Sequence, residues 1–222
     1  MTFLLDIGVG AWGGYLQSGM LSGLLVTLGT AGAATLATVV WALVPALMRS
    51  THSRVLNGLA RAYVEVFRGT PVLVQLFLVF FGLAVLGILI GPWTASVLVL
   101  TLNQGSFLAE SYRSGIQAVP RGHREVATAM GMSPLLVFRR VVAPEALRLI
   151  VPAIGNITVM VLLTTPISSL IGNQELLYQA VLIQSRTDDW SVYLLATLMY
   201  TAVALVLSVG NSALERHLRL AT

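Results

Sequence analysis

Few residues in this 222-residue chain could carry covalent or metal chemistry. Cysteine is absent, and the three histidines, His52, His123 and His217, stand too far apart to share a helix face. That excludes disulfides, thiolate nucleophiles, Cys-based zinc or iron–sulfur centres and any closely spaced imidazole pair. No Gly-x-Ser-x-Gly elbow occurs, and no two carboxylates share an apolar stretch, so a membrane-embedded enzyme lacks its parts. What recurs is the uncharged amide or hydroxyl in apolar surroundings: Gln75, Asn103, Gln104, Asn156, Thr158, Thr164, Thr165, Ser168 and Ser169. Such groups bind by hydrogen bonds, and in an apolar phase they must face a neighbouring helix or an aqueous cavity. A zwitterion needs both donors and acceptors, which the amides of Asn103 and Asn156 supply best. The hydroxyls can equally bond their own helix carbonyls. Thr165-Pro166 interrupts a helical ladder, leaving two readings open: carbonyls exposed to coordinate an ammonium, or a packing kink.

The phase that holds these residues follows from composition. The chain is 56% hydrophobic and 10% charged, against about 25% charged in a soluble domain, and its mean hydropathy is +0.85. Crossing lipid takes roughly 20 apolar helical residues, and four charge-free gaps are long enough: 7–48, 69–109, 149–174 and 190–214. Gly91-Pro92-Trp93 divides the second gap with a turn signal and an interfacial aromatic. The expectation is an all-α polytopic membrane protein of five transmembrane helices, near 20–47, 71–90, 94–112, 149–171 and 190–212, with the transmembrane body over 20–214. Segment 1–19 reads as external or interfacial, since Ile7–Ser18 holds four Gly in 12 residues and cannot cross. Asp6, where a basic region should be, argues against a cleaved signal peptide.

All 13 basic residues are Arg; there is no Lys. With the N-terminus outside, twelve of them fall on inner segments and only Arg186 falls outside, beside Asp188 and Asp189. The positive-inside rule therefore sets the N-terminus out and the C-terminus, with tail 215–222, cytoplasmic. The same rule accounts for the sequence pI of about 10.0 by topology, with no nucleic acid as partner. Glu65/Arg68 and Glu110/Arg113 are expected as i,i+3 ion pairs at inner helix ends, and Arg68, beside the helix-breaking Gly69-Thr70-Pro71, is a candidate for an inner gate.

The inner stretch 113–147 is too long for a plain connector and is punctuated for helices. Pro120-Arg121-Gly122 opens one, Gly131 can close it in the left-handed conformation, and Ser133-Pro134 opens the next. Ala127 and Gly131 lie four apart, where small side chains let another surface come close. Glu125 can act in docking or pair with Arg121 or Arg124.

Glu125-Val126-Ala127, Gly131 and Val141-Val142-Ala143-Pro144 keep the spacing of the inner loop of type I ABC importer permeases, which this chain resembles. It is most similar to the polar amino-acid branch (histidine, glutamine, glutamate, arginine or opine-like solutes). The further strings are Glu65-Val66-Phe67-Arg68-Gly69-Thr70-Pro71, 102–110 (LNQGSFLAE), Gly115–Pro120 and Pro144–Arg148. The resemblance runs from about Leu21 to Leu214. It implies the type I ABC importer permease fold, at the cell (plasma or inner) membrane, as half of a pore in the lipid bilayer. The implied partners are a cytoplasmic ATPase dimer, a second permease subunit and an external solute-binding protein. ATPase coupling would fall to Glu125, Val126, Ala127, Met130, Gly131 and Met132; the pathway or gate to Arg68, Gln75, Asn103, Gln104, Asn156, Thr164, Thr165 and Ser168. ATP and Mg would sit on the partner ATPase, and this chain would bind no cofactor, metal or catalytic group. Its lack of Lys agrees, because a Walker A site needs one.

One departure limits the substrate. Where that branch has a Lys followed by Asp or Asn and small hydroxyls, this chain has Leu163, Thr164, Thr165 and Pro166. Either the solute is less polar or a different permease supplies recognition, which favours a heterodimer over a homodimer. The competing class is an ATP-independent secondary transporter or channel, but internal repeats and ion-coupling charges inside the gaps are missing. A scaffold would not need the Gly131 loop.

Overall fold

In the computed structural model, which describes residues 9–51 and 53–220, α-helices follow one another without a strand among those residues. Of the segment expected to be external, Met1–Gly8 lie outside the described residues, as do His52 and the last two residues of the tail. The described part is α1 (Val9–Tyr15), which meets α2 (Leu21–Trp41) at a kink where Gly19 takes φ +144°, a backbone angle open to glycine because it lacks Cβ. α2 continues through Ala42 into α3 (Leu43–Ser50).

The second predicted span needs correction. Its helix does not run over 71–90: α5 (Val72–Phe77), a wide turn and α6 (Leu83–Val85) end before Gly87, which takes φ +82°. The missing length lies upstream in α4 (Arg54–Gly69), which meets α5–α6 at 108°. Arg61, Glu65 and Arg68 closed the charge-free gap too early, because these charges sit on one exposed flank while Ala60 and Val64 are buried on another. Three helical stretches are long and apolar enough to cross a membrane, Ala11–Arg49 (which includes the Gly19 kink), Pro134–Ile171 and Ser191–Arg216, and the pair bent by 108° makes up to four.

α7 (Pro92–Ala118) is not among them, although its 27 residues reach about 40 Å. Its middle is polar, with Asn103, Gln104 and Ser106 all buried. This is the central helix, packed against α2, α4 and α10 (Ala143–Thr164), so protein rather than lipid surrounds its middle. Between α7 and α10 lie α8 (Arg121–Ala129) and α9 (Pro134–Val137). After α10 come a 3-10 turn over Thr165–Ile171, α11 (Leu176–Thr187) and α12 (Ser191–Leu220). α8 and α9 therefore occupy the end of the bundle where α7 finishes. α11 sits at the other end, against the start of α2.

Packing within lipid gains little from the hydrophobic effect, since lipid tails are as apolar as leucine, and it relies on close backbone approach. The core accordingly uses Ala31, Ala34, Ala109 and Ala146 where helices cross. A Cβ on Gly115 would lie 2.7 Å from Ile150 Cγ1, and one on Gly155 would lie 2.8 Å from Asn211 Cγ. These glycines key α7 to α10 and α10 to α12. Asn211 also donates to the Gly155 carbonyl at 2.8 Å.

Candidate functional site

The polar residues gather first around the elbow between α4 and α5. Pro71 has no N–H, so the carbonyl of Phe67, four residues back, loses its helical donor. Two side-chain amides replace it: Asn103 Nδ2 donates at 3.0 Å and Gln75 Nε2 at 3.0 Å. Gln75 Nε2 also reaches Thr70 Oγ1 at 2.7 Å, and Gln75 Oε1 accepts from Asn103 at 3.2 Å. Gln104 Nε2 donates to Asn103 Oδ1 at 3.2 Å. All three amides are buried. Their hydrogen-bonding capacity holds a broken helix at a fixed angle.

The kink at Thr165-Pro166 obeys the same logic. Pro166 cannot donate to the Leu162 carbonyl, which accepts instead from the Thr165 N–H and from Thr165 Oγ1 at 2.7 Å. Ser168 Oγ donates to Thr165 O and accepts from Asn173 Nδ2 at 2.9 Å, while Gly172 ends the turn at φ +85°. Thr164 donates to its own helix at Met160 O, 2.6 Å away. Thr164 and Ser168 also border a narrow crevice with Val72, Leu76 and Ser96.

Arg68 and Asn156 stand apart from these braces. Arg68 is exposed and does not pair with Glu65; its guanidinium lies 4.9 Å from the centre of the Phe107 ring, a cation–π contact. The other expected pair forms and is larger than expected. Glu110 accepts from both Arg113 and Arg49, tying α3 to α7. Asn156 is exposed on α10 beside Met160 and Leu163, with no hydrogen bond to its amide among the described residues.

At the end of the bundle where α7 finishes, α8 closes as foreseen. Gly131 takes φ +81°, its N–H reaches Thr128 O at 2.9 Å, and Met132 N–H reaches Ala127 O at 3.2 Å. These paired bonds are a Schellman cap. Ser133 starts α9 by its backbone, its carbonyl accepting from Val137 N at 2.9 Å, without a side-chain cap. Ala127 is buried, so the surface its small side chain admits is the chain's own bundle. Glu125 is exposed and forms no ion pair among the described residues, while Val126 and Met130 are 62% and 73% exposed. Two contacts brace the helix from below: His123 Nδ1 lies 2.7 Å from Glu145 Oε1 on α10, and Arg124 donates to the Ile116 carbonyl on α7.

Sequence reasoning missed Glu175. It is fully buried, it caps α11 by accepting from Tyr178 N at 2.8 Å, and it accepts from Tyr200 Oη on α12 and Thr27 Oγ1 on α2. Treating each ionisable residue as the end of a span hid it; the signal available was the apolar, aromatic company of a lone carboxylate. Outside the bundle, Asp189 accepts from Tyr15 Oη at 2.7 Å and from Ser191. The Tyr15 hydroxyl, more than the Ser191 donors, holds this carboxyl below its ordinary value.

The chain is 38% identical over 174 residues to the nopaline transport system permease protein NocM of Agrobacterium fabrum, covering 73% of this chain and 72% of that one. It is 32% identical to the probable glutamine ABC transporter permease protein GlnM of Bacillus subtilis, covering 78% and 81%. A solved amino acid ABC transporter, crystallised with histidines, superposes with a TM-score of 0.85 at 37% identity, over 89% of this chain and 93% of that one. The MetNI methionine transporter, at 20% identity and a TM-score of 0.75, shares the fold. Residues 38–220 match the model of the binding-protein-dependent transport system inner membrane component, and the chain belongs to that family of membrane-embedded ABC permease subunits.

Proposed function

We propose that this chain forms half of the pore of an ATP-driven importer for a polar amino acid or related small solute. The carrying observation is α8: a short, capped helix braced onto α7 and α10, presenting exposed Glu125, Val126 and Met130 at the end of the bundle where α7 finishes. Apolar side chains exposed at a polar end mark a protein-binding surface. A cytoplasmic ATPase dimer docks there, with Ala127, Gly131 and Met132 setting the helix's seat and end, and ATP and Mg stay on that partner. Force on α8 reaches α7 through Ile116 and α10 through Glu145.

In this reading five segments cross the bilayer, counting α7 and the bent α4–α6 pair, with the N-terminus outside. An external binding protein delivers solute to the opposite end. Asn156, an unsatisfied amide among exposed apolar neighbours, belongs against the pore or the second permease, because lipid offers it no partner. The elbow amides Gln75, Asn103 and Gln104 act by holding the elbow and Arg68. A second permease of different sequence supplies the charge that Leu163–Pro166 lack. Purified complex containing two copies of this chain and no other permease would remove that heterodimer.

The test is uptake of labelled glutamine, glutamate, arginine and histidine into proteoliposomes with ATPase and binding protein present. Accumulation of at least one should require ATP and both partners. Uptake that persists without the ATPase would overturn the importer reading in favour of a secondary carrier.

A further inference from the structure

α4 has two exposed flanks of different chemistry. Val55, Leu59, Ala62 and Val66 form one; Arg54, Arg61 and Arg68 form the other, with Glu65 the only carboxylate among them. The three Arg are seven residues apart, so each step turns the helix by only about 20° from the last. None has a carboxylate within salt-bridge distance among the described residues. The helix also climbs. Asn57 donates to Arg49 O in the Glu110 layer, while Phe67 O meets Asn103 further up α7. The Arg flank therefore rises from the inner boundary to the elbow, starting at an open hollow of about 340 Å³ lined by Ser53, Arg54, Asn57, Gly58 and Arg61. At its upper end Arg68 lies over Phe107 of α7.

Lipid suits the apolar flank and would leave the guanidiniums unsolvated. The geometry points to the Arg54–Arg61–Arg68 flank as a water-facing wall of the inner half of the conduit that favours anionic solutes, the amino dicarboxylate class, over cationic ones. This rests on the reading of the chain as half of a pore. Like-signed charges in a cleft with low-dielectric walls focus the field, concentrating counter-ions and repelling co-ions. The wall then selects by charge after a binding protein has selected by shape.

The chain has no natural cysteine, so a single Cys reports without background from this subunit. Gly58 is the site: it borders the hollow, and a Cβ there meets open space. In the full transporter carrying Gly58→Cys, labelling of this chain is followed by mass with a sulfonate-bearing and a trimethylammonium-bearing thiosulfonate. The sulfonate reagent should react faster by on the order of tenfold, the ratio should fall with Arg61→Gln and invert toward the cation with Arg61→Glu, and glutamate should protect better than arginine. Leu59→Cys, one residue on but facing lipid, should react with neither. Equal rates, a cation preference, reaction of Leu59→Cys with both reagents, or protection by arginine over glutamate would each overturn the inference. ATP- and binding-protein-dependent uptake is measured on the same preparation; its absence sinks the pore reading, whereas uptake with charge-blind labelling sinks this inference alone.

Discussion

The amide of Asn103 on α7 donates at 3.0 Å to the carbonyl of Phe67 on α4, the acceptor that Pro71 leaves without a helical donor. A cross-helix hydrogen bond thus completes a helix broken in another segment. Asn103→Leu should cost about 1 kcal/mol, the scale measured for interhelical bonds in membranes, and lower the melting temperature of the solubilised protein by roughly 2–4 °C. Gln75→Leu should cost a similar amount. Because both amides serve the same carbonyl, a double-mutant cycle should show coupling; strict additivity would mean the elbow is held by other means.

Gly131 separates backbone from docking effects. Its φ of +81° is open to glycine and tolerated by asparagine, and no atom crowds a Cβ there. Gly131→Asn should be close to neutral and Gly131→Ala should cost about 1 kcal/mol. If α8 is the ATPase dock proposed above, Gly131→Arg should abolish transport and ATPase stimulation while membrane insertion is retained, because bulk and charge would stand at that seat.

Glu175 ties α2, α11 and α12 through Thr27, Tyr178 N and Tyr200. Glu175→Ala strands the Tyr178 N–H and the Tyr200 hydroxyl in a dry site and should cost roughly 2–4 kcal/mol. Glu175→Gln keeps an acceptor and should cost less than half as much. Equal losses in thermal unfolding would show that charge, rather than acceptor geometry, holds the site.

Asp189 titrates below its ordinary 3.8 because Tyr15 and Ser191 donate to its ionised form. A carboxyl lowered in the folded state stabilises above its unfolded value and loses that contribution as pH falls through the folded one. The Tyr15–Asp189 tie should therefore be constant from pH 8 to 5 and weaken only below about pH 4. Tyr15→Phe should raise the Asp189 titration toward 3.8, read by carboxyl NMR.

Much of the architecture is legible in the residues. Charge-free gaps locate α2, α10 and α12 because lipid-facing helices must lack charge, and Gly131 announces its cap because few residues take that φ. The α4 arm of the bent pair escapes, since Arg61, Glu65 and Arg68 gather on one flank that a linear gap count cannot see. Asn103 and Gln75 announce hydrogen bonding but not its object; only the position of Pro71, which names the orphaned carbonyl, narrows the choice. Glu175 escapes because a buried carboxylate depends on partners 148 and 25 residues away.

Gly115 against Ile150 and Gly155 against Asn211 leave no clearance between α7, α10 and α12. Sliding any of these helices lengthwise would drive side chains into backbone, so a piston stroke is sterically barred. Any displacement must therefore carry the three together as one wedge, with α8 riding on it through Ile116 and Glu145.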